Sequence, residues 1–589
     1  MNPLLELLAP AGSPEALRAA VAAGADAVYF GASGFNARAG ARNFSDDELV
    51  RAVGFCHEHG VRVYLTLNTL VWDREMRDCL AAAGRAWRAG VDALIVADMG
   101  VAAALRRTFP DFELHASTQM SGHSSAAAVT LAACGFSRMV LAREMSLADI
   151  SAFTAASPIE AEVFVHGALC VCHSGQCLFS SMVGGRSGNR GECAQPCRLP
   201  YNGGRYPLSL KDNCLAAHIP ELIDARVASL KIEGRMKGPD YVGAVTAVYR
   251  RLLDERRAAT ADEIRYLAGI FSRSGFTDSY FVGKTGSDML GVRTDADKRR
   301  STVVAAPQTA ERKLPPITIQ PRSGCPEDGY SPVRPQKKPV RRKTAYMHRA
   351  EQLTPGARKF FDLCFLPLYT AAGRDIPRAD GECFIGAALP PVIFDSELPE
   401  VRRMLAAAAG HGVRDLLVGN VGHLALAREF GMLAHGDFRL NICNRESAAA
   451  YEAMGFEDLI LSPELTLPRL RDIGGRTLVT VYGRIPLMIT EKCAGIECGG
   501  CRTCREGKNF LTDRRGVRFP VLREQRHRSL IVNSLPTSMS DRQRQLDEYG
   551  VRGEHFIFTA ETPREVDGVI RAFISGTPVS GECRRIAAK

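Results

Sequence analysis

Short, wholly apolar runs alternate with amphipathic stretches over the first ~240 residues. The runs are LELLAP (5–10), AVYFG (27–31), RVYLTLN (62–68), ALIVAD (93–98), ELHAST (113–118), RMVLAR (138–143), EVFVHG (162–167) and SLKIEG (229–234). Continuous apolar runs of this length read as strands buried on both faces, as parallel sheets require. Between them, SPEALRAAVAAG and DDELVRAVGFCHEHG place apolar residues at helical spacing. The first of these opens on Ser13-Pro14, a cap with proline at the first helical position, and closes at Gly24. Eight β units separated by helices predict an α/β fold, a closed TIM-like (β/α)₈ barrel. A doubly wound open sheet is the alternative, but no GxGxxG follows the first run.

In such a barrel the loops after the strands' C-terminal ends build the active site. The polar residues there are Asn36, Arg38, Arg42, Asn68, Asp98, Ser117, Gln119, Arg143, Glu144, His166, Lys231, Glu233 and Arg235. The connection from 168 to 228 is long and carries six cysteines, the group Cys170, Cys172, Cys177, Cys193 and Cys197 and then Cys214. From 292 to 350 the chain turns rich in Pro, Arg and Lys and reads as a linker, either a solvated tether or a phosphate-contacting arm. Beyond it the pattern repeats. Gly90-VDALIVADMG lies on Gly412-VRDLLVGNVG without gaps, GFSRMVLAREMSL on GFEDLILSPELTL with Glu144 opposite Glu464, and EVFVHG opposite VTVYGR. Residues 351–589 are therefore expected to form a degenerate, partial copy of strands four to seven, since too few strand candidates precede residue 412 for a whole barrel. The expected domains are 1–291, with the insertion at 168–228, then the linker and 351–589.

Composition bears on the cysteines. The chain is 46% hydrophobic and 24% charged with a net charge of +10, ordinary for a globular protein. A basic excess favours contact with phosphates, weakly. No apolar run reaches the roughly 20 residues of a membrane span, and the N-terminus has no basic leader. The expectation is a cytoplasmic protein without a membrane role, where thiols stay reduced and clustered cysteines hold metal. Of the 18 cysteines, isolated ones such as Cys56, Cys79 and Cys134 read as packing residues.

The first group runs C170-x6-C177-x15-C193-x3-C197. Thiolates suit iron–sulfur clusters or zinc, and spacing alone does not choose between them. The second runs C493-x4-C498-x2-C501-x2-C504, a paired spacing shared by ferredoxin runs and zinc knuckles.

The segment EVFVHGALCVCHSGQCLFSSMVGGRSGNRGECAQPCRLPY resembles the signature of peptidase family U32, the collagenase-like proteases. LLAPAGSPEAL, AGADAVYFG, SLKDNC, SLKIEGRMKGPDYV and FSRSGFTDSYFVG agree with it. The resemblance is dense over about 4–290 and looser over about 380–540; Phe179 and the extra thiol Cys172 depart from it. It implies an oxygen-independent hydroxylation of an RNA base, either a tRNA uridine or a 23S rRNA cytidine. It further implies a [4Fe–4S] cluster on Cys170, Cys177, Cys193 and Cys197, with prephenate as hydroxyl source. Cys214 is a second option for the fourth ligand. Relatives hydroxylating ubiquinone and a claimed collagenase activity keep quinone and peptide substrates open, and a non-enzymatic RNA-binding metalloprotein is a third reading.

Catalytic roles fall on His166 as a proton donor and on Arg143, Glu144, Lys231, Glu233 and Arg235. Asn36, Asn68 and Gln119 are candidates for reading a base edge, and Arg38 and Arg42, with Arg143 and Arg235, for pairing the dicarboxylate. Arg235 pairing with Glu233, His166 in a structural hydrogen bond and the amides satisfying loop backbone are the bland alternatives. The second group, Cys493, Cys498, Cys501 and Cys504, is expected to bind zinc or a second iron–sulfur cluster, with His527 as a possible replacement ligand. Proteolysis finds no HExxH and no GxSxG, and His173 beside Cys172 is poorly placed to form a dyad.

Overall fold

The computed structural model describes residues 5–32, 34–38, 40, 42–295, 297, 314–318, 330–339, 341–373, 381–505 and 507–587. The apolar runs form β1 (Glu6–Pro10), β2 (Ala27–Phe30), β3 (Arg62–Leu67), β4 (Ala93–Val96), β5 (Glu113–Ala116), β6 (Arg138–Val140), β7 (Glu160–Ala168) and, after the short β8 (Asp212–Cys214), β9 (Ser229–Ile232). β1 to β7 pair in chain order, all parallel, and β9 closes the cylinder between β7 and β1. β8 runs antiparallel on the end of β7, Ala168 opposite Asp212, and carries β10 (Phe276–Thr277) on its outer edge. The predicted helix of Ser13-Pro14 runs Pro14–Ala22, capped by the Ser13 hydroxyl on the Ala16 amide.

Toward the strands' N-terminal ends the cylinder is filled by charge. Arg138 Nη1 donates to Glu6 Oε1 at 2.6 Å, Tyr64 Oη to Glu6 Oε2 at 2.6 Å, and Lys231 Nζ to Glu162 Oε1 at 2.6 Å. Each buried charge has an opposite partner, which burial demands. With the floor closed this way, the open space lies at the C-terminal mouth.

The second half is more complete than its sequence suggests. β11 (Arg342–Met347), β12 (Leu363–Pro367), β13 (Phe384–Ala388), β14 (Asp415–Val418), β15 (Leu433–Gly436), β16 (Leu459–Ile460) and β17 (Thr477–Gly483) pair in order. A four-stranded antiparallel sheet follows, of β18 (Pro486–Thr490), β19 (Phe510–Thr512), β20 (Arg518–Arg523) and β21 (Ser529–Val532). After β22 (Thr537–Ser538), β23 (Gly553–Phe558) closes a second eight-stranded parallel barrel between β17 and β11. The expected partial copy is thus corrected to a full barrel. Three strands precede residue 412, and the first of them lies inside the segment expected to be linker. The described part of that segment is also not a free tether: the Tyr330 hydroxyl and the Val333 amide donate to Glu446 at 3.0 and 2.8 Å, and Lys337 Nζ donates to the Phe456 carbonyl at 2.6 Å. Residues 298–313 and 319–329, which carry much of the expected phosphate-contacting arm, lie outside the described residues.

Inside the second barrel Leu363, Phe365, Leu417, Phe438, Leu478 and Ile557 meet, joined by Leu178 from the first barrel's cysteine-bearing crossover, while buried His435 is paired with Asp458 at 2.8 Å and Asp415 at 3.0 Å. The barrels also meet reciprocally. Met99–Thr108, after β4, packs on Arg445–Ala453, after β15; Ser125–Ala133, after β5, packs on Val421–His423, after β14. In the repeat alignment these are the same two elements with the barrels exchanged.

Candidate functional site

A cavity of about 710 Å³ occupies the mouth of the first barrel. Cys170, Cys177, Cys193 and Cys197 line one side; Tyr29, Arg38, Arg143, Lys231, Glu233 and Arg235 line the floor; Asn68, Ser117 and Gln119 line the strand ends. The crossover reaches back over the mouth because Gly175 (φ +83°) sits against the Gln119 carbonyl, where a Cβ would come within 2.0 Å of that oxygen. Its other face is held by β18 of the four-stranded sheet: the His173 amide donates to the Ile489 carbonyl at 3.0 Å and the Leu178 amide to the Leu487 carbonyl at 2.8 Å.

The thiols are mutually aware. Burial, then Cys197 and Cys177, push the Cys170 thiol well up, and burial pushes Cys197 up to about 11. Thiols raised in this way ionise only beside a compensating positive charge. The Cys193 sulfur accepts from the Gln195 amide at 3.3 Å and the Ser180 hydroxyl at 3.9 Å. Among the described residues no three His, Cys, Asp or Glu side chains close on one ion-sized point.

The floor is a cationic cluster around one carboxylate. Arg38 Nη2 lies 3.4 Å from Glu233 Oε1, and Arg143 Nη2 lies 3.6 Å from Glu233 Oε2. Burial pushes Glu233 up, but Arg38, Arg143 and Arg235 together hold it below the ordinary carboxylate range. Arg235 donates to Thr66 Oγ1 at 2.9 Å, and burial beside Arg38 lowers it to about 10. Arg235 therefore braces the wall through Thr66. Arg143 stacks 4.0 Å over Phe164, and Lys231 lies 4.3 Å over Tyr29, both on cavity-lining rings.

Several expected residues stand elsewhere. His166 follows a bulge in β7 that turns it to the outer face, where its ring packs on Tyr249 and Phe276. Its Nδ1 lies 3.3 Å from Tyr249 Oη, and burial lowers it to about 3, so it is a neutral packing histidine and not a proton donor to the cavity. Arg42 is exposed, paired with Glu48 at 2.7 Å, outside the cavity. Asn36 is spent on loop backbone, donating to the Ala32 carbonyl at 2.9 Å and accepting from the Arg38 amide at 3.0 Å. Asn68 accepts from the Ala37 amide at 3.0 Å while still lining the cavity. Cys214 faces Tyr249 Oη at 3.8 Å, off the cavity lining that Cys197 shares.

Glu144 is buried with neither carboxylate oxygen hydrogen-bonded, 3.6 Å from His173 Nδ1. In the sequence His173 stands beside Cys172, a neighbour that suggests only a dyad. In fact the Cys172 thiol hydrogen-bonds to the Cys177 sulfur, and the His173 ring lies 3.1 Å from His123 and 3.2 Å from Glu491, which follows β18. Glu491 is in turn held by Arg528 at 2.6 Å. No cysteine–histidine dyad forms here.

The second cysteine group lies apart, between β18 and β19. Cys493, Cys501 and Cys504 share a small pocket with His527, whereas the Cys498 sulfur accepts from Asn202 Nδ2 at 3.7 Å.

The model of peptidase family U32 matches residues 12–290 and 385–508, spanning the cavity and reaching past the second cysteine group. The chain belongs to peptidase family U32. Family members similar to it include the 23S rRNA 5-hydroxycytidine C2501 synthase of Escherichia coli (strain K12), 43% identical over 291 residues, 48% of this chain and 43% of that protein. The tRNA hydroxylation protein P1 of Bacillus subtilis (strain 168) is 38% identical over 268 residues, 42% of this chain and 63% of that protein. A collagenase of Porphyromonas gingivalis is 35% identical over 309 residues, 47% of this chain and 74% of that protein. The matches to the first two thus span less than two thirds of either relative. Among the described residues, no helix is long and apolar enough to cross a membrane.

Proposed function

We propose that this U32 protein hydroxylates a pyrimidine base in RNA, a tRNA uridine or a 23S rRNA cytidine, at the mouth of its first barrel. The observation that carries the proposal is the meeting, in one cavity, of four thiols with a cationic floor. The names of the two RNA-hydroxylating relatives supply the reaction class.

Cys170, Cys177, Cys193 and Cys197 would hold a [4Fe–4S] cluster. An all-thiolate set on the wall of a cavity of about 710 Å³ suits an iron–sulfur cluster in both ligand type and room. Bound there, the cluster supplies one-electron redox chemistry. The amide and hydroxyl on the Cys193 sulfur would tune it. Arg38, Arg143 and Lys231 would pair the carboxylates of prephenate, the proposed hydroxyl source, with Glu233 keeping the guanidinium groups oriented. Asn68 and Gln119 stand where an extruded base would present its edge. A volume of about 710 Å³ accommodates a base and a small dicarboxylate beside the cluster.

Mass spectrometry of nucleosides from a deletion strain tests the reaction: 5-hydroxyuridine or 5-hydroxycytidine should disappear and return with the wild-type gene. Iron and sulfide assay of anaerobically purified protein tests the cofactor, with Cys170→Ala and Cys193→Ala expected to lose both. Unchanged nucleosides with altered peptide turnover would replace this reading with proteolysis.

A further inference from the structure

The small pocket of the C-terminal sheet carries an inference independent of the RNA reaction. We propose a second metal site there, mononuclear and zinc-binding, held by Cys493, Cys501, Cys504 and His527, with Cys498 excluded. The spacing alone points to four cysteines; the fold selects three and a histidine. These four side chains line one void of about 10 Å³, the scale of a single small sphere and far below that of a cluster. Cys498 points the other way, its sulfur on Asn202.

The backbone around His527 is shaped for this. Arg526 (φ +55°) and His527 (φ +64°) are consecutive left-handed non-glycine residues, a conformation costing on the order of 1–3 kcal/mol each. It is held in place on the far side by Arg528, which is buried and pairs with Glu397 at 2.8 Å and Glu491 at 2.6 Å. The turn thereby sets His527 on the pocket wall, where it is also open to solvent. Gly495, also on the pocket wall, brings two of these thiols together: a Cβ there would lie 3.5 Å from the Cys493 sulfur and 3.8 Å from the Cys504 sulfur, ordinary contact distance to both. The Ser529 hydroxyl adds a donor to Cys493 at 3.9 Å. The donors line the void without closing on a point. Ion binding would draw in Cys501 and Cys504, and Gly499 (φ +152°) and Gly500 (φ +82°) at the head of their helix give that movement its freedom. Three thiolates and a neutral imidazole leave a bound divalent ion with one excess negative charge, and Arg523 on the pocket wall is there to balance it. Four protein ligands with no open position make a structural site. Its place matters, because the turn it fixes leads through Arg528 and Glu491 to His173 on the main cavity.

The test uses the full chain, purified anaerobically in the Cys170→Ala background so that iron at the first cavity does not obscure the count. Zinc, iron and sulfide are measured after dialysis against a chelator. One zinc per chain is expected, falling at least about fivefold in Cys501→Ala and His527→Ala and unchanged in Cys498→Ala. If a variant fails to fold, zinc-edge X-ray absorption on the protein without second-site substitutions decides: three sulfurs near ~2.3 Å and one nitrogen near ~2.0 Å support the proposal. A four-sulfur shell, zinc lost in Cys498→Ala but kept in His527→Ala, iron with sulfide in this background, or no zinc even after its addition would overturn it.

Discussion

Leu178→Ala isolates the clamp that the second barrel applies to the cysteine-bearing crossover. Leu178 is 3% exposed and sits among Leu363, Phe365, Leu417, Ile485 and Ile557 inside the second barrel, one residue past Cys177. Truncation removes three buried carbons, about 2.4 kcal/mol at ~0.8 kcal/mol each, and the rigid walls around it add a cavity cost. A total near ~3 kcal/mol is expected. That side chain belongs to the crossover and its pocket to the other barrel, so the loss falls on local opening of the crossover. Converted at ~1.36 kcal/mol per decade, it is a rise of roughly 100-fold in the opening equilibrium. Hydrogen exchange followed by mass spectrometry reads this directly. The amides of His173 and Leu178, bonded to Ile489 and Leu487, should exchange about 100-fold faster, while β1 to β4 stay protected. If those two amides changed less than about threefold while stability fell everywhere, the crossover would not be held independently, and the clamp would be wrong.

The remaining predictions concern buried charge. Burial raises Glu491, but its bond from His173 and the Arg528 guanidinium lower it from 4.5 to about 2. A depressed carboxylate contributes stability above its unfolded pKa and loses it as pH falls through the folded one. Glu491→Gln should therefore cost about 3 kcal/mol at pH 7 by urea unfolding, shrinking through the window from 4.5 toward 2; a pH-independent difference contradicts it. Arg138→Met strips Glu6 of its partner at 2.6 Å and leaves Glu162 to Lys231 alone. A loss of about 3–5 kcal/mol is expected, a fall of roughly 10 °C in calorimetric Tm, and an unchanged Tm would show the floor to be water-filled and forgiving.

The first barrel was legible because its strands are continuous apolar runs set off by helical spacing and caps. The second was half hidden for local reasons. β11, RKTAYM, begins in a basic stretch, and its Arg342 pairs with buried Asp458 at 2.8 Å, a contact no pattern announces. β23 closes the barrel from beyond an inserted sheet, so adjacency in the chain misleads. The four cavity thiols were readable from their grouping. His166 was misplaced because strand alternation assumes no bulge, and one extra residue in β7 reverses its face. Glu144 is legible as a polar residue at a strand end, opposite Glu464 in the repeat, whereas its neighbours Glu491 and Arg528 come from a part of the chain over 300 residues away and have no local signature.

The reciprocal helix contact between the barrels has the geometry of a twofold dimer written into one polypeptide. Separate subunits joined this way would part on dilution. Tethered halves meet at a fixed effective concentration however scarce the protein is. One half is therefore free to serve as a socket for the crossover of its twin.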